Sequence, residues 1–385
     1  MKTDFWHILD TGSIWLKEFA SEFGKLVPAE NWQPEIRALG YWESWEKCDQ
    51  VIDPSLMVRK FPLQRGYARF PISSLLPYQQ SLTGRLKRQS QNLATTGLIC
   101  TAPFYAPVAE LWPGPVVYYL TDLTKKYAGM NEGQIISLDK RMCRVAVAVC
   151  PNSTRIADYL AEEAGCLRNK ITVIPNATRQ QNILNHPTFT AGELPADLAH
   201  LKRPIVGVIG NLAGNMDWQL ILEAIQSTPE VSWAFVGPTD MKISETSQHE
   251  ARERVLSSKA AVCFTGSRPY GELYRYARCF DVAFLPYLRK EPTFSGSATR
   301  FYEHLAACRP IVATRGFHEL LSKEPLLKLV DTSRDVAATL ADLRSNNFAD
   351  GMEQARWQAS RQATWRVRAT DLIQASENLA DQKVA

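Results

Sequence analysis

Short runs of β-branched and aromatic residues alternate with amphipathic stretches through the second half of the chain. The runs are PIVGVIG (204–210), VSWAFVG (231–237), AAVCFTG (260–266), DVAFLPY (281–287), RPIVAT (309–314) and a weaker LLKLV (326–330). Between them, DWQLILEAIQS, HEARERVLSS, YGELYRYARCF, ATRFYEHLAAC and FHELLSK carry helical spacing. Strands alternating with helices predict βαβ units and a parallel, doubly wound α/β sheet.

The first half repeats this pattern with more noise. FWHILD (5–10) opens a sheet and leads through TGS into the helix IWLKEFASEFGKL, and TGLICTAPF, GPVVYYLTD, RVAVAVCPN and KITVIPN read as later strands. Residues 181–203 contain His-Pro, Leu-Pro and Arg-Pro breakers and little periodicity, so they read as a linker. The expected organisation is a Rossmann-like domain at 1–180, that linker, a second Rossmann-like domain at 204–350, and a helical tail at 351–385 that packs back on the first domain. Two such domains facing across a cleft would account for 385 residues.

Residues 57–90 break the pattern. Arg59, Lys60, Arg65, Arg69, Arg85, Lys87 and Arg88 occur there among Phe, Tyr and Leu, with no Asp or Glu. Such a run fits anionic lipid headgroups or a phosphorylated acceptor, each surface cation contributing ~1 kcal/mol at an anionic leaflet. It equally fits a solvated loop whose charges pair elsewhere. No nucleic-acid-binding motif accompanies it, and a net charge of +4 spread over the whole chain adds no case for nucleic acid.

Apolar content of 45% and charged content of 22% are those of a globular protein. The eight cysteines form no Cys-x-x-Cys pair and most sit in apolar runs, which reads as buried thiols in a reducing compartment. The N-terminus lacks an apolar stretch long enough for a signal peptide, and no run approaches the ~18 residues of a membrane span. A cytoplasmic location is expected, with peripheral attachment to the inner face of a membrane as its variant.

Ligands of open α/β sheets bind beyond the carboxyl ends of the strands. There the chain places NLAGNMDW after 204–210, TGSRPY after 260–264 and SGSATRFYEH after 281–287. None matches the dinucleotide fingerprint G-x-G-x-x-G. Small residues at Ser295, Gly296 and Ser297 before a helix can leave N–H groups open to an anion, or can simply make a tight connection. Arg300 and Glu303, three residues apart, share a helix face and suit either a nucleotide diphosphate or a surface ion pair.

These segments resemble the nucleotide-sugar domain of GT-B glycosyltransferases, in particular the family 4 (group 1) enzymes of bacterial polysaccharide synthesis. VVYYLTD, AVAVCPNSTRIADYL, KITVIPNATR and the tail ATWRVRATDL resemble the remaining parts of that fold, so the likeness covers roughly 95–375. It implies transfer of a sugar from a nucleotide diphosphate to a saccharide or lipid-linked acceptor, with donor in the C-terminal domain and acceptor in the N-terminal one. Glu303 matches a ribose-binding glutamate. Ser297 and Arg300 match positions facing the diphosphate, and Gly266, Ser267 and Arg268 match the loop beside the base. Gly12, Gly210, Asn211, Ser295, Gly296 and Thr299 complete the expected donor site. Arg300 and Asp122 are the expected catalytic residues, Asp122 orienting the acceptor.

The resemblance further implies retention at the anomeric carbon and no cofactor or metal, in keeping with the absence of an Asp-x-Asp motif. Two features depart from it: Ser295 stands where many relatives carry an acid, and the first loop of the C-terminal domain lacks the usual basic pair. A non-catalytic nucleotide-sugar-binding or scaffold protein, or a sugar-nucleotide epimerase, therefore remains an alternative. His7 and His318 are read as structural, with a catalytic role as the lesser option.

Overall fold

The computed structural model describes residues 3–37, 51–53, 56–64, 76–241, 243–258 and 261–381. The chain divides into two compact units, one of residues 1–176 with 365–385 and one of residues 177–364. The segment 181–203 is thus part of the second unit. So is the helix Glu353–Arg361, which packs on the helix Thr299–Ala307, and only the helix beginning at Trp365 belongs with the first unit.

The second unit holds a six-stranded sheet of β8 (Ile205–Ile209), β9 (Ser232–Val236), β10 (Val262–Phe264), β11 (Val282–Leu285), β12 (Ile311–Ala313) and β13 (Lys328–Leu329). Their order is β10-β9-β8-β11-β12-β13 and every pairing is parallel. Each predicted run forms its strand, and the four central ones are buried on both faces: Trp218 and Trp233 are fully buried, and Phe235 stacks on Phe264 at 4.6 Å. FHELLSK forms only a 3₁₀ turn, His318–Ser322, where a helix was expected. Chain order reverses between β8 and β11, which creates a switch point at their carboxyl ends.

The first unit carries β1 (Phe5–Leu9), β2 (Ala29–Arg37), β3 (Val51–Asp53), β4 (Val58–Gln64), β5 (Thr96–Cys100), β6 (Val116–Tyr118) and β7 (Ala148–Val149), in the order β3-β4-β2-β1-β5-β6-β7. Only β3 pairs antiparallel. KITVIPN adds no strand beyond one bridge, Val149 to Ile171. β4 and the helix Leu76–Gln89 replace much of the irregular basic stretch expected at 57–90. The helix Trp365–Asp381 packs against the helix Ile14–Gly24. The switch point of this sheet lies between β1 and β5. Among the described residues no helix is long and apolar enough to cross a membrane.

Candidate functional site

In the second unit, three loops meet beyond the carboxyl ends of the strands. Gly210 and Gly237 both take φ near +150°, and a Cβ on Gly237 would fall 1.8 Å from the Gly210 carbonyl, so only glycine lets the two loops touch. The Gly237 N–H donates to the Gly266 carbonyl at 3.0 Å, tying in the third loop. Arg300 reaches this junction from the helix Thr299–Ala307: its Nε lies 4.0 Å from where a Gly210 side chain would begin. Its Nη1 is buried and makes no hydrogen bond among the described residues. That leaves one charged donor at the switch point without an acceptor, a costly state that an anion would relieve.

Glu303 sits one helical turn further on and is 2% exposed. Tyr270 Oη donates to Oε1 at 2.6 Å, and Thr178 Oγ1 and Asn182 Nδ2 each donate to Oε2 at 3.2 Å. Burial raises its pKa, while the neighbouring Arg300 charge and these three donors hold it down. The Tyr270 ring also lies under two guanidinium groups, with Arg179 Cζ 5.3 Å and Arg300 Cζ 5.8 Å from its centroid. The sequence suggested Glu303 and Arg300 but not Tyr270, Thr178 or Asn182. Nothing local signals partners that are 33, 121 and 125 residues away.

The turn before this helix differs from expectation. Several of its donors, read as open to an anion or as part of a tight connection, are engaged by the protein's own carboxylates and carbonyls. Glu291 accepts from the Ser295 amide (3.2 Å) and from Ser295 Oγ (2.8 Å). Glu319 accepts from Ser297 Oγ (2.9 Å), from the Ala298 amide (2.8 Å) and from the Tyr302 hydroxyl. The Gly296 amide donates to the Thr293 carbonyl and that of Thr299 to Ser297. Glu319 thus answers the positive end of the helix at its N-cap, Ala298, while Glu291 holds the preceding turn. Glu291 also places an acid directly on Ser295, the position where the resemblance lacked one.

The remaining residues of this edge divide. Arg268, expected beside the base, points elsewhere: Nη2 donates to Asp197 at 2.8 Å and Nε to Tyr276 at 2.9 Å, and these partners raise its pKa. Positive charge beside Gly210 therefore comes from Arg300. Asn211 and Ser267 are exposed, and Gly266 holds φ near +71° in its turn. His318 packs edge-on against Phe294 at 5.7 Å.

In the first unit, the carboxyl ends of β1, β5 and β6 surround a cavity of about 340 Å³ lined by Asp10, Ser13, Thr101, Thr121, Asp122 and Tyr127 among others. Asp122 therefore does sit in a concave site. Burial raises its pKa to about 6, against a hydrogen bond from Tyr127. Asp10, not singled out in the sequence, joins it. It adopts φ +65°, accepts from Tyr105 Oη at 3.2 Å and from the Gly12 amide, and has its pKa raised by burial. Gly12 thus directs its N–H at Asp10 within its own unit. The sequence signal for Asp10 was its place in DTGS just past a strand.

His7 is fully buried. Trp32 Nε1 donates to its Nδ1 at 3.2 Å, Ser90 Oγ lies 3.0 Å from Nε2, and burial lowers its pKa to about 4, so it is a neutral core group. The basic run is partly neutralised from β2. Arg59 donates to Glu30, and Lys60 lies 3.7 Å from Glu35. Arg85, Lys87 and Arg88 lie on the helix Leu76–Gln89, the last two exposed in its final turn, and Arg65 and Arg69 lie outside the described residues.

No family model matches the chain. By sequence, 209 residues are 22% identical to TuaH of Bacillus subtilis, named as a teichuronic acid biosynthesis glycosyltransferase, covering 54% of this chain and 49% of that protein. A further match is the 2-deoxystreptamine glucosyltransferase of Streptomyces kanamyceticus, 24% identical over 191 residues, 46% of this chain and 45% of that one. The chain spans about half the length of the curated relatives it matches. By structure, HepE of Anabaena in complex with UDP and glucose superposes with a TM-score of 0.64 at 14% identity over 100% of both chains. Sucrose-phosphate synthase of Thermosynechococcus elongatus gives 0.70 at 15% identity over 99% of this chain and 100% of its own. With its two doubly wound units, the chain has the GT-B fold that it shares with these structures, and the relatives it matches by sequence are named as a glycosyltransferase and a glucosyltransferase.

Proposed function

We propose that the protein is a glycosyltransferase that moves a sugar from a nucleotide diphosphate, with the donor held by the second unit and a saccharide or lipid-linked acceptor by the first. The observation that carries this is Arg300, whose buried Nη1 has no hydrogen-bond partner among the described residues at the switch point beside Gly210. An anion there is favoured, and charge developing on a departing diphosphate would be stabilised most. UDP is the expected nucleotide, because HepE is solved with UDP and with UDP-glucose. In this proposal the leaving group is neutralised by Arg300 without a metal and the product retains its anomeric configuration.

Calorimetry with UDP and GDP on the parent and on Arg300→Ala tests the reading. UDP is expected to bind the parent, and binding by neither nucleotide would overturn it. Labelled UDP-sugar incubated with acceptor then separates transfer from epimerisation, and NMR of the product's anomeric centre settles retention. A second reading, a scaffold that needs no nucleotide, is favoured by Glu319 occupying the helix N-cap and Glu291 the turn before it. It predicts no nucleotide binding. An anionic membrane surface is a proposed further partner, supported by exposed Lys87 and Arg88, and sedimentation with phosphatidylserine vesicles checks it.

A further inference from the structure

We propose that the pocket of the first unit binds a polyhydroxylated acceptor carrying a protonated amine, and rejects acceptors bearing phosphate or carboxylate. Calling the ligand an acceptor rests on the function proposed above, whereas its chemistry rests on the pocket. Among the described residues, the polar groups lining it are two carboxyls, Asp10 and Asp122, and the hydroxyls of Ser13, Thr101, Thr121, Thr124 and Tyr127, with no lysine, arginine or histidine. Two lysines near Asp122 in sequence have partners elsewhere: Lys125 pairs with Glu163, and Lys126 lies 3.0 Å from Glu132. Among the described residues the donors to each carboxyl are neutral, Tyr105 and the Gly12 amide for Asp10 and Tyr127 for Asp122.

A desolvated carboxylate without a cation is expensive, and it regains most when a ligand brings the positive charge. An ammonium does so and hydrogen-bonds both acids, while sugar or cyclitol hydroxyls can exchange bonds with the surrounding threonines and serine. A phosphate would enter against two like charges with no compensating donor. The cavity, about 340 Å³, is at the scale of a small ligand.

The test uses the full chain at about pH 7, with glucose, glucosamine and glucose 6-phosphate as probes, read by saturation-transfer NMR and competition. Glucosamine should bind roughly tenfold more tightly than glucose, about 1.4 kcal/mol, and glucose 6-phosphate should show no transfer. Asp10→Asn and Asp122→Asn should each shrink that preference to about twofold, the pair together should abolish it, and Asp122→Glu should restore most of it. Equal binding of glucose 6-phosphate, no transfer to glucosamine, or a preference that survives the double variant overturns the proposal. UDP titrated into the same samples reports separately on the donor site. Loss of UDP binding alone sinks the transferase reading and leaves the pocket's preference readable.

Discussion

The two sheet edges handle charge in opposite ways. At the second unit's edge, nearly every charge has a partner from its own unit: Glu303 has three donors, Glu319 and Glu291 hold the helix start, and Asp197 holds Arg268. Among the described residues Arg300 Nη1 is an exception, with no hydrogen-bond partner. At the first unit's edge, two carboxyls face a cavity with only neutral donors to meet them. A saturated edge can bind only by exchanging partners, so its affinity is the ligand's contacts less the internal bonds given up. An unsaturated edge gives up only water.

The largest expected effect comes from breaking the saturated edge at its centre. Glu303→Ala strands Thr178, Asn182 and Tyr270 in a buried site, and at roughly 1 kcal/mol for each unmade bond the loss is about 3 kcal/mol. Thermal unfolding should fall by about 6–12 °C, and UDP binding should vanish. Tyr270→Phe removes just one of the three donors, so it should cost about 1 kcal/mol and leave Oε1 available to a ribose. If Tyr270→Phe binds UDP less well than the parent, partner exchange at Glu303 is the wrong picture.

Next comes Arg300→Ala, which removes the unpaired donor. A charged hydrogen bond is worth about 1.5–3 kcal/mol, so UDP affinity should drop roughly 10- to 150-fold in calorimetry. The same change takes away the cation that holds the Glu303 pKa down, and Glu303 should then titrate higher. Unchanged UDP affinity would move the diphosphate away from Gly210.

The unsaturated edge predicts a pH dependence of the opposite kind from a salt bridge. Asp122 has its pKa raised from 3.8 to about 6 by burial. The folded state therefore favours the neutral acid, and the stability it contributes is full below about pH 4 and lost as pH rises through 6. Asp122→Asn should be more stable than the parent at pH 8, by about 1–2 kcal/mol after solvent relaxation, with the gap closing by pH 4. Melting curves across that range check it, and a variant less stable at pH 8 would mean that Asp122 is compensated after all.

Much of this was legible in the sequence, and the gaps have physical causes. All six strands of the second sheet follow their apolar runs, because strands covered on both faces read as continuous hydrophobic stretches. β2 and β4 did not. Pro34 and Pro62 interrupt them, and Glu35 and Lys60, paired in register with Pro62 and Gln33, put charges inside the pairing and lie 3.7 Å apart on the diagonal. In the site, the Arg300–Glu303 spacing pointed at the right helix because three residues is local geometry. Glu319 returning to Ser297, and Asn182 to Glu303, are contacts made by topology, and no pattern along the chain encodes them.

The smallest expected effect is the one that decides what the saturated edge is for. Glu319→Gln keeps an oxygen for the Ser297 hydroxyl and the Ala298 amide but removes the charge at the helix N-terminus. A charge there is worth about 0.3–1 kcal/mol, so the melting temperature should fall by no more than ~4 °C. If Glu319 occupies ground that the diphosphate needs, the same change should tighten UDP binding a few-fold, because a neutral amide yields the helix N-terminus more readily than a carboxylate. Stability and affinity would then move in opposite directions, which lost packing cannot produce. If affinity falls with stability, Glu319 supports the site rather than competing for it, and the diphosphate is held by Arg300 and the Gly210 loop alone.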